Sequence, residues 1–314
     1  MNSPVQKNTP LVGVIGLGAM GRPMARLLAE GHGVVTVTSS RPEDQVLTDL
    51  RSELEDGTNP ENIRWASNAA QLAAECDEVL LMLPDLPQIS ETLEGPQGLL
   101  AGLEQRSETA PPLLLLIGST CSAPGVRKLA EDLTARFGER IYVVDAPVSG
   151  GEDGAKAGTL SIMLGGSQAL CERASEALAP CGTSVRLGEL GSGQVAKACN
   201  QLVVSATIFA LGEASVLAER SGLDLEAMWD LLGHGYASSR LLDSRKDRLV
   251  SGDDSPSGAI KYMRKDLHGA NEIAEATETN VVLLPQLRAA IEEVIDAGLG
   301  DRDISVTKRF VAER

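Results

Sequence analysis

The chain of 314 residues has few aromatic side chains: Phe, Trp and Tyr together make 3% of it. That scarcity argues against an aromatic-lined pocket. Gly and Ala are abundant instead, as close helix–sheet packing requires. Cationic side chains are outnumbered, 28 against 44 acidic ones, for a net charge of -16. Nucleic acid and anionic membrane are therefore disfavoured as partners. There are only three histidines, His32, His234 and His268, and none stands at metal-ligand spacing from another. This predicts no metal site and gives a histidine acid–base pair little support. The five cysteines (76, 121, 171, 181 and 199) form no C-x-x-C, which reads as reduced thiols in a cytoplasmic protein rather than a disulfide framework. Long apolar runs are missing too. The longest, "LLLLI" at 113–117, is far too short to span a bilayer. The first ten residues, "MNSPVQKNTP", read as a polar leader with no secretory h-region.

What is present is rhythm. Short apolar runs at 11–15, 34–38, 78–83, 113–117, 141–145 and 160–164 alternate with helical stretches. Runs that are apolar at nearly every position suit strands covered on both faces. One helical stretch, "RPMARLLAEG", is expected to close at Gly31. The alternation predicts an α/β fold, a Rossmann-type doubly wound sheet. The rhythm stops after "GTSVRLGELGSG". From Gln194 to Arg220 a long helical stretch without proline follows, then further helical segments and no convincing strand. We therefore expect a nucleotide-binding domain over 1–190 and an all-α C-terminal domain over 191–314, the latter serving substrate binding and dimerisation. Residues 50–65 read as a polar insertion around a turn.

Three stretches carry chemistry. "GVIGLGAMG" places Gly16, Gly18 and Gly21 in a G-x-G-x-x-G pattern between an apolar strand and a helix, the context that gives the pattern meaning. Gly16 would make the tight turn, Gly18 would admit a pyrophosphate, and Gly21 would let helix and strand pack closely. The intervening Leu17, Ala19 and Met20 complete the loop, and the helix N-terminus favours phosphate. The alternative is a glycine-rich turn with no ligand. At the end of the second strand, where an NAD site would place Asp or Glu, stand Ser39, Ser40 and Arg41. Two hydroxyls and a guanidinium suit a 2′-phosphate, so NADP(H) is favoured, with NAD(H) possible. In "DAPVSGGEDGAKAGTL", Ser149, Gly150 and Gly151 follow a strand and can cradle a carboxylate, although a plain structural loop would look similar.

Lys197 is the only charged side chain between Glu189 and Glu213, in a chain that is 23% charged. Its helical neighbours three and four positions away are Gly193, Gln194, Asn200 and Gln201, so its own helix offers no carboxylate there. An ammonium in such surroundings exchanges its proton more readily. The bland alternative is a lysine snorkelling from a packed helix.

"GLGAMGRPMARLL", "DAPVSGG…GTL", "GSGQVAKACNQ" and "KDLHGA", in that order, make the chain resemble the β-hydroxyacid dehydrogenase family. The likeness runs from residue 11 to about 300 and takes in the 3-hydroxyisobutyrate dehydrogenases and tartronate semialdehyde (2-hydroxy-3-oxopropionate) reductases. It implies an NAD(P)-dependent oxidoreductase that interconverts a small β-hydroxy acid and its semialdehyde or oxo acid. It implies that Lys197 is the general acid/base and that Ser149, Gly150, Gly151, Asn200 and Gln201 bind the substrate. Leu83, Pro84, Ser119, Thr120 and Lys265 would join the glycine-rich loop around the cofactor. Two departures are visible. Gln201 stands where the family often has Asn, and Ile117-Gly118 precedes Ser119-Thr120 where D-x is common. The competing readings are an imine reductase-like NADPH enzyme, which usually lacks a lysine at this position, and a non-catalytic NADPH-binding sensor. The expected partners are a small carboxylate substrate and a second or fourth copy of the chain, as homodimer or homotetramer.

Overall fold

The computed structural model describes residues 11–314; the leader expected over the first ten residues lies outside them. The chain divides into two compact units, 1–197 and 198–314.

The first unit is built on one nine-stranded sheet. Its strands are β1 (Val12–Ile15), β2 (Val35–Thr38), β3 (Ile63–Trp65), β4 (Glu78–Leu81), β5 (Leu113–Ile117), β6 (Ile141–Asp145), β7 (Val148–Ser149), β8 (Leu160–Gly165) and β9 (Gly182–Gly188). The first six lie in the order β3-β2-β1-β4-β5-β6 and are all parallel. That is the doubly wound order, with its reversal point between β1 and β4. β8 runs antiparallel to β6 and β7, and β9 runs parallel to β8. Every residue of β1, β2, β4 and β5 is buried, because helices cover both faces: α1 (Gly21–His32), α2 (Glu43–Arg51), α3 (Ala69–Glu75), α4 (Leu86–Leu93), α5 (Leu99–Gln105), α6 (Ala123–Phe137), α7 (Gly151–Ala157) and α8 (Gln168–Leu178). One apolar cluster centres on Met24, Leu28, Val35, Leu114 and Leu178. Another centres on Leu72, Val79, Ile89, Leu115 and Val126.

Three expectations are corrected here. The insertion at 50–65 ends in β3, which pairs with β2; only Ile63 of its three residues is fully buried, too little for a periodic signal. The segment 182–188, where the rhythm was read as stopping, is β9, an edge strand with no fully buried residue, in which Val185 and Leu187 are exposed. α1 closes at Gly33 in the left-handed region rather than at Gly31. Gly31 sits inside the helix because a Cβ there would collide with Pro180, so packing and not capping selects it.

The second unit is helical, as expected. α9 (Ser192–Arg220) crosses the division between Lys197 and Ala198, and α10 (Leu225–Leu232), α11 (Arg240–Ser251), α12 (Tyr262–Ala276), α13 (Leu284–Asp296) and α14 (Thr307–Glu313) follow. By length and composition α9 could cross a membrane, which a count of uninterrupted apolar residues overlooked. Its apolar face is nonetheless used within the unit. Ile208, Phe209 and Leu211 join Trp229, Leu249, Ile260 and Ile291 in one buried cluster. Thr307 donates to the carbonyl of Ile208 (3.0 Å), and Trp229 donates to the hydroxyl of Ser215 (3.3 Å).

Candidate active site

The carboxyl ends of β1, β2, β4, β5 and β6 bring most of the expected residues of the first unit to one edge of the sheet. β1 delivers the chain into Gly16, whose φ of +98° is cheap only for glycine and whose Cβ would strike the carbonyl of Met82. A Cβ on Gly21 would strike the carbonyl of Gly16, so the loop closes tightly on α1. Gly18 differs: it is exposed, and a Cβ there would meet nothing within 4 Å. Leu17 is buried beneath it and Ala19 is exposed beside it. The N-terminus of α1 has no side-chain cap at Met20, and the Arg22 N–H turns back to the carbonyl of Gly18 (3.1 Å). An open, side-chain-free rim at the positive end of a helix fits a dinucleotide pyrophosphate.

At the end of β2, the backbone N–H of Arg41 donates to the hydroxyl of Ser39 (3.2 Å), while its guanidinium donates to the carbonyl of Leu17 (3.0 Å). Ser40 is exposed. Arg41 and Leu17 border a cavity of about 550 Å³ lined also by Gly18, Ala19, Arg22, Arg26, Lys156, Glu53 and Glu152. Sequence reasoning missed Arg22. It sits one residue past Gly21 and pairs with Glu53 (2.7 Å) and Asp49 (3.7 Å) of the α2 region. The signal was its place at the start of the helix beside the glycine-rich loop.

Farther along the edge, Ser119 is buried. Its hydroxyl accepts from the N–H of Leu83 (2.9 Å) and donates to the carbonyl of Leu81 (3.2 Å). That side chain stitches β4 to β5, so Ser119 shapes this edge from beneath. Pro84 is exposed and Thr120 half-buried beside it. β7 ends at Ser149, and Gly150 follows with φ +138°, a conformation that a side chain would strain. Gly150 and Gly151 are both exposed, with open space where a Cβ of Gly151 would stand. Lys197 is half-buried in the second turn of α9.

In the helical unit, Asn200 donates its amide to the oxygen of Gln201 (2.9 Å), and Gln201 donates to Asp266 (2.5 Å), ahead of which stands exposed Lys265. A carboxylate can only accept, so Asp266 sets which end of the Gln201 amide faces Asn200. Among the described residues, no group of three or more His, Cys, Asp or Glu could hold a metal ion.

A doubly wound sheet with an open glycine-rich loop and a cationic pocket at the end of β2 defines a dinucleotide-dependent oxidoreductase of Rossmann type. The profile for the NAD-binding domain of 6-phosphogluconate dehydrogenase matches residues 11–191. The profile for the NAD-binding region of NADP-dependent 3-hydroxyisobutyrate dehydrogenase matches residues 191–311. The chain is 33% identical over 273 residues to 2-hydroxy-3-oxopropionate reductase of Escherichia coli, covering 86% of each. It is 30% identical over 312 residues to the mitochondrial 3-hydroxyisobutyrate dehydrogenase of Rattus norvegicus, covering 96% of this chain and 87% of that one. A crystal structure of 3-hydroxyisobutyrate dehydrogenase from Salmonella typhimurium superposes with a TM-score of 0.80 at 26% identity, over 95% of this chain and 99% of that one. The chain belongs to the β-hydroxyacid dehydrogenase family and is an NAD(P)-dependent enzyme of that kind.

Proposed function

We propose that the enzyme interconverts a small β-hydroxy acid and its semialdehyde or oxo acid, of the 3-hydroxyisobutyrate or 2-hydroxy-3-oxopropionate type, with NADP(H) as the preferred cofactor. The nicotinamide, when bound, gives or takes the hydride. Lys197 donates a proton from Nζ to the substrate oxygen during reduction and takes it back during oxidation. The observation that carries this reading is the place of Lys197, half-buried in the second turn of α9, within the "GSGQVAKACNQ" stretch that carries the family likeness. Ser149, Gly150 and Gly151 hold the substrate carboxylate, supported by the half-buried Ser149 at the end of β7 and the exposed Gly150 and Gly151 after it. Asn200 and Gln201 add amide contacts to the substrate, and Lys265 lies near the cofactor. Ser39, Ser40 and Arg41, with Arg22 beside them, favour a 2′-phosphate.

The test is a panel of small 3-hydroxy acids and the matching semialdehydes, each assayed with both cofactors. Turnover of one such pair with NADPH is the expected result. Tight NADPH binding with no hydride transfer to any of them would favour the sensor reading.

A further inference from the structure

The proposed role of Lys197 demands that one ammonium be held to a fraction of an ångström, yet Lys197 itself stands on a helix that begins in a glycine-rich loop. What fixes that helix is a buried polar cluster. Asp145, the last residue of β6, is fully buried. One of its oxygens accepts from the backbone N–H of Gly191 (2.7 Å), the other from that of Gln194 (2.7 Å). A Cβ on Gly165 or on Gly193 would collide with or crowd this carboxylate, so the surrounding backbone is closed around it. The carboxylate thus caps α9 from a strand far away in sequence.

Gln194 is the second anchor, and it is also buried. Its side-chain oxygen accepts from the N–H of Cys121 (2.8 Å), and its amide donates to the carbonyl of Ser119 (2.9 Å). Through the Ser119 hydroxyl the same cluster reaches Leu81 and Leu83. The first turn of α9 is therefore bound to the ends of β4, β5 and β6 together. Lys197 follows Gln194 by three positions and Gly193 by four, so it shares their helical face, and helical side chains lean back toward the N-terminus.

We infer that Asp145 and Gln194 are positioning residues, which lock the first turn of α9 onto three strand ends and so fix the place from which Lys197 exchanges its proton. The inference rests on the reading of Lys197 as the proton carrier. Neither side chain needs to touch substrate for this. Misplacement by about 1 Å can cost on the order of a hundredfold in rate.

A double-mutant cycle tests it, with Gln194→Met keeping volume and helix propensity while removing both hydrogen bonds. The expected result is a fall in kcat of about tenfold to a hundredfold, with the NADPH Kd and the substrate KM changed by less than about threefold. In a Lys197→Ala background the same substitution should lower kcat no further, because the group it positions is gone. Wild-type kcat in Gln194→Met, or an equal fall in both backgrounds, would overturn the inference. Asp145→Asn is the second arm and should show the same non-additivity; if it fails to fold, Gln194→Met decides alone. Lys197→Ala with near wild-type turnover would instead remove the lysine reading on its own evidence, and this inference with it.

Discussion

The guanidinium of Arg41 donates to the carbonyl of Leu17, joining the end of β2 to the glycine-rich loop across 24 positions of sequence. The cation is thereby held at the rim of the loop, with Arg22 lining the same cavity. Arg41→Ala should raise the KM for NADPH and leave that for NADH nearly unchanged. A charge-assisted contact of roughly 1.5–3 kcal/mol corresponds to about ten- to a hundredfold. Steady-state kinetics with both cofactors checks this, and a wild type that prefers NADH would defeat it.

The pairing of Arg22 with Glu53 and Asp49 leads to a second expectation. Glu53 is a carboxylate on the wall of a cavity proposed to take a phosphate. Glu53→Gln should lower the KM for NADPH by a few-fold, on the order of 1 kcal/mol or less for an exposed pair. A rise in that KM would mean that Glu53 holds Arg22 in its working position.

Lys197→Ala should keep the fold and NADPH binding and lose about 10²–10⁴-fold in kcat. Lys197→Arg should rescue little, because a guanidinium keeps its proton across the working pH range. The snorkelling reading expects the reverse, with Arg tolerated and kcat almost untouched by Ala. Turnover of both variants, with thermal melts as the control for folding, separates the two.

Asp145 has a pH signature of its own. Burial raises its carboxyl above the usual range, and the N–H groups of Gly191 and Gln194 pull the other way. A native value above the unfolded one, about 3.9, means that the protonated form favours the folded state. That contribution is complete below the unfolded value and is lost as pH rises through the native one. The Tm advantage of wild type over Asp145→Asn should therefore widen as pH is lowered from neutrality toward about 4. A gap that narrows on acidification would show the carboxyl to be held low instead.

The cysteines should label in two classes. Burial pushes the thiols of Cys76 and Cys181 up to about 12, whereas Cys199 is exposed. Alkylation of the native protein near pH 8, read by peptide mass spectrometry, should modify Cys199 and spare Cys76 and Cys181. Early modification of Cys181 would reveal opening of the strand end where it is packed.

The amino-acid sequence by itself determined five of the six parallel strands in outline, together with β8, the glycine-rich turn after β1, the helical second half and the lack of a carboxylate three or four positions from Lys197. Each is a local matter, set by the spacing of apolar residues, by glycine where a turn needs it, and by which side chains fall three or four positions apart. What it left undetermined was decided by packing between distant segments. β3 and β9 are strands because a neighbouring strand offers its edge, although their own patterns are weak. Gly31 was read as a helix end, but it is a contact with Pro180, and the turn falls to Gly33. Arg22 and Glu53 meet only once α2 lies against α1. The anchoring of α9 joins Asp145 to Gln194 over a separation of 49 residues. No periodicity can announce such a bond, because a buried carboxylate finds its donors through the course of the whole sheet and not through its neighbours in the chain.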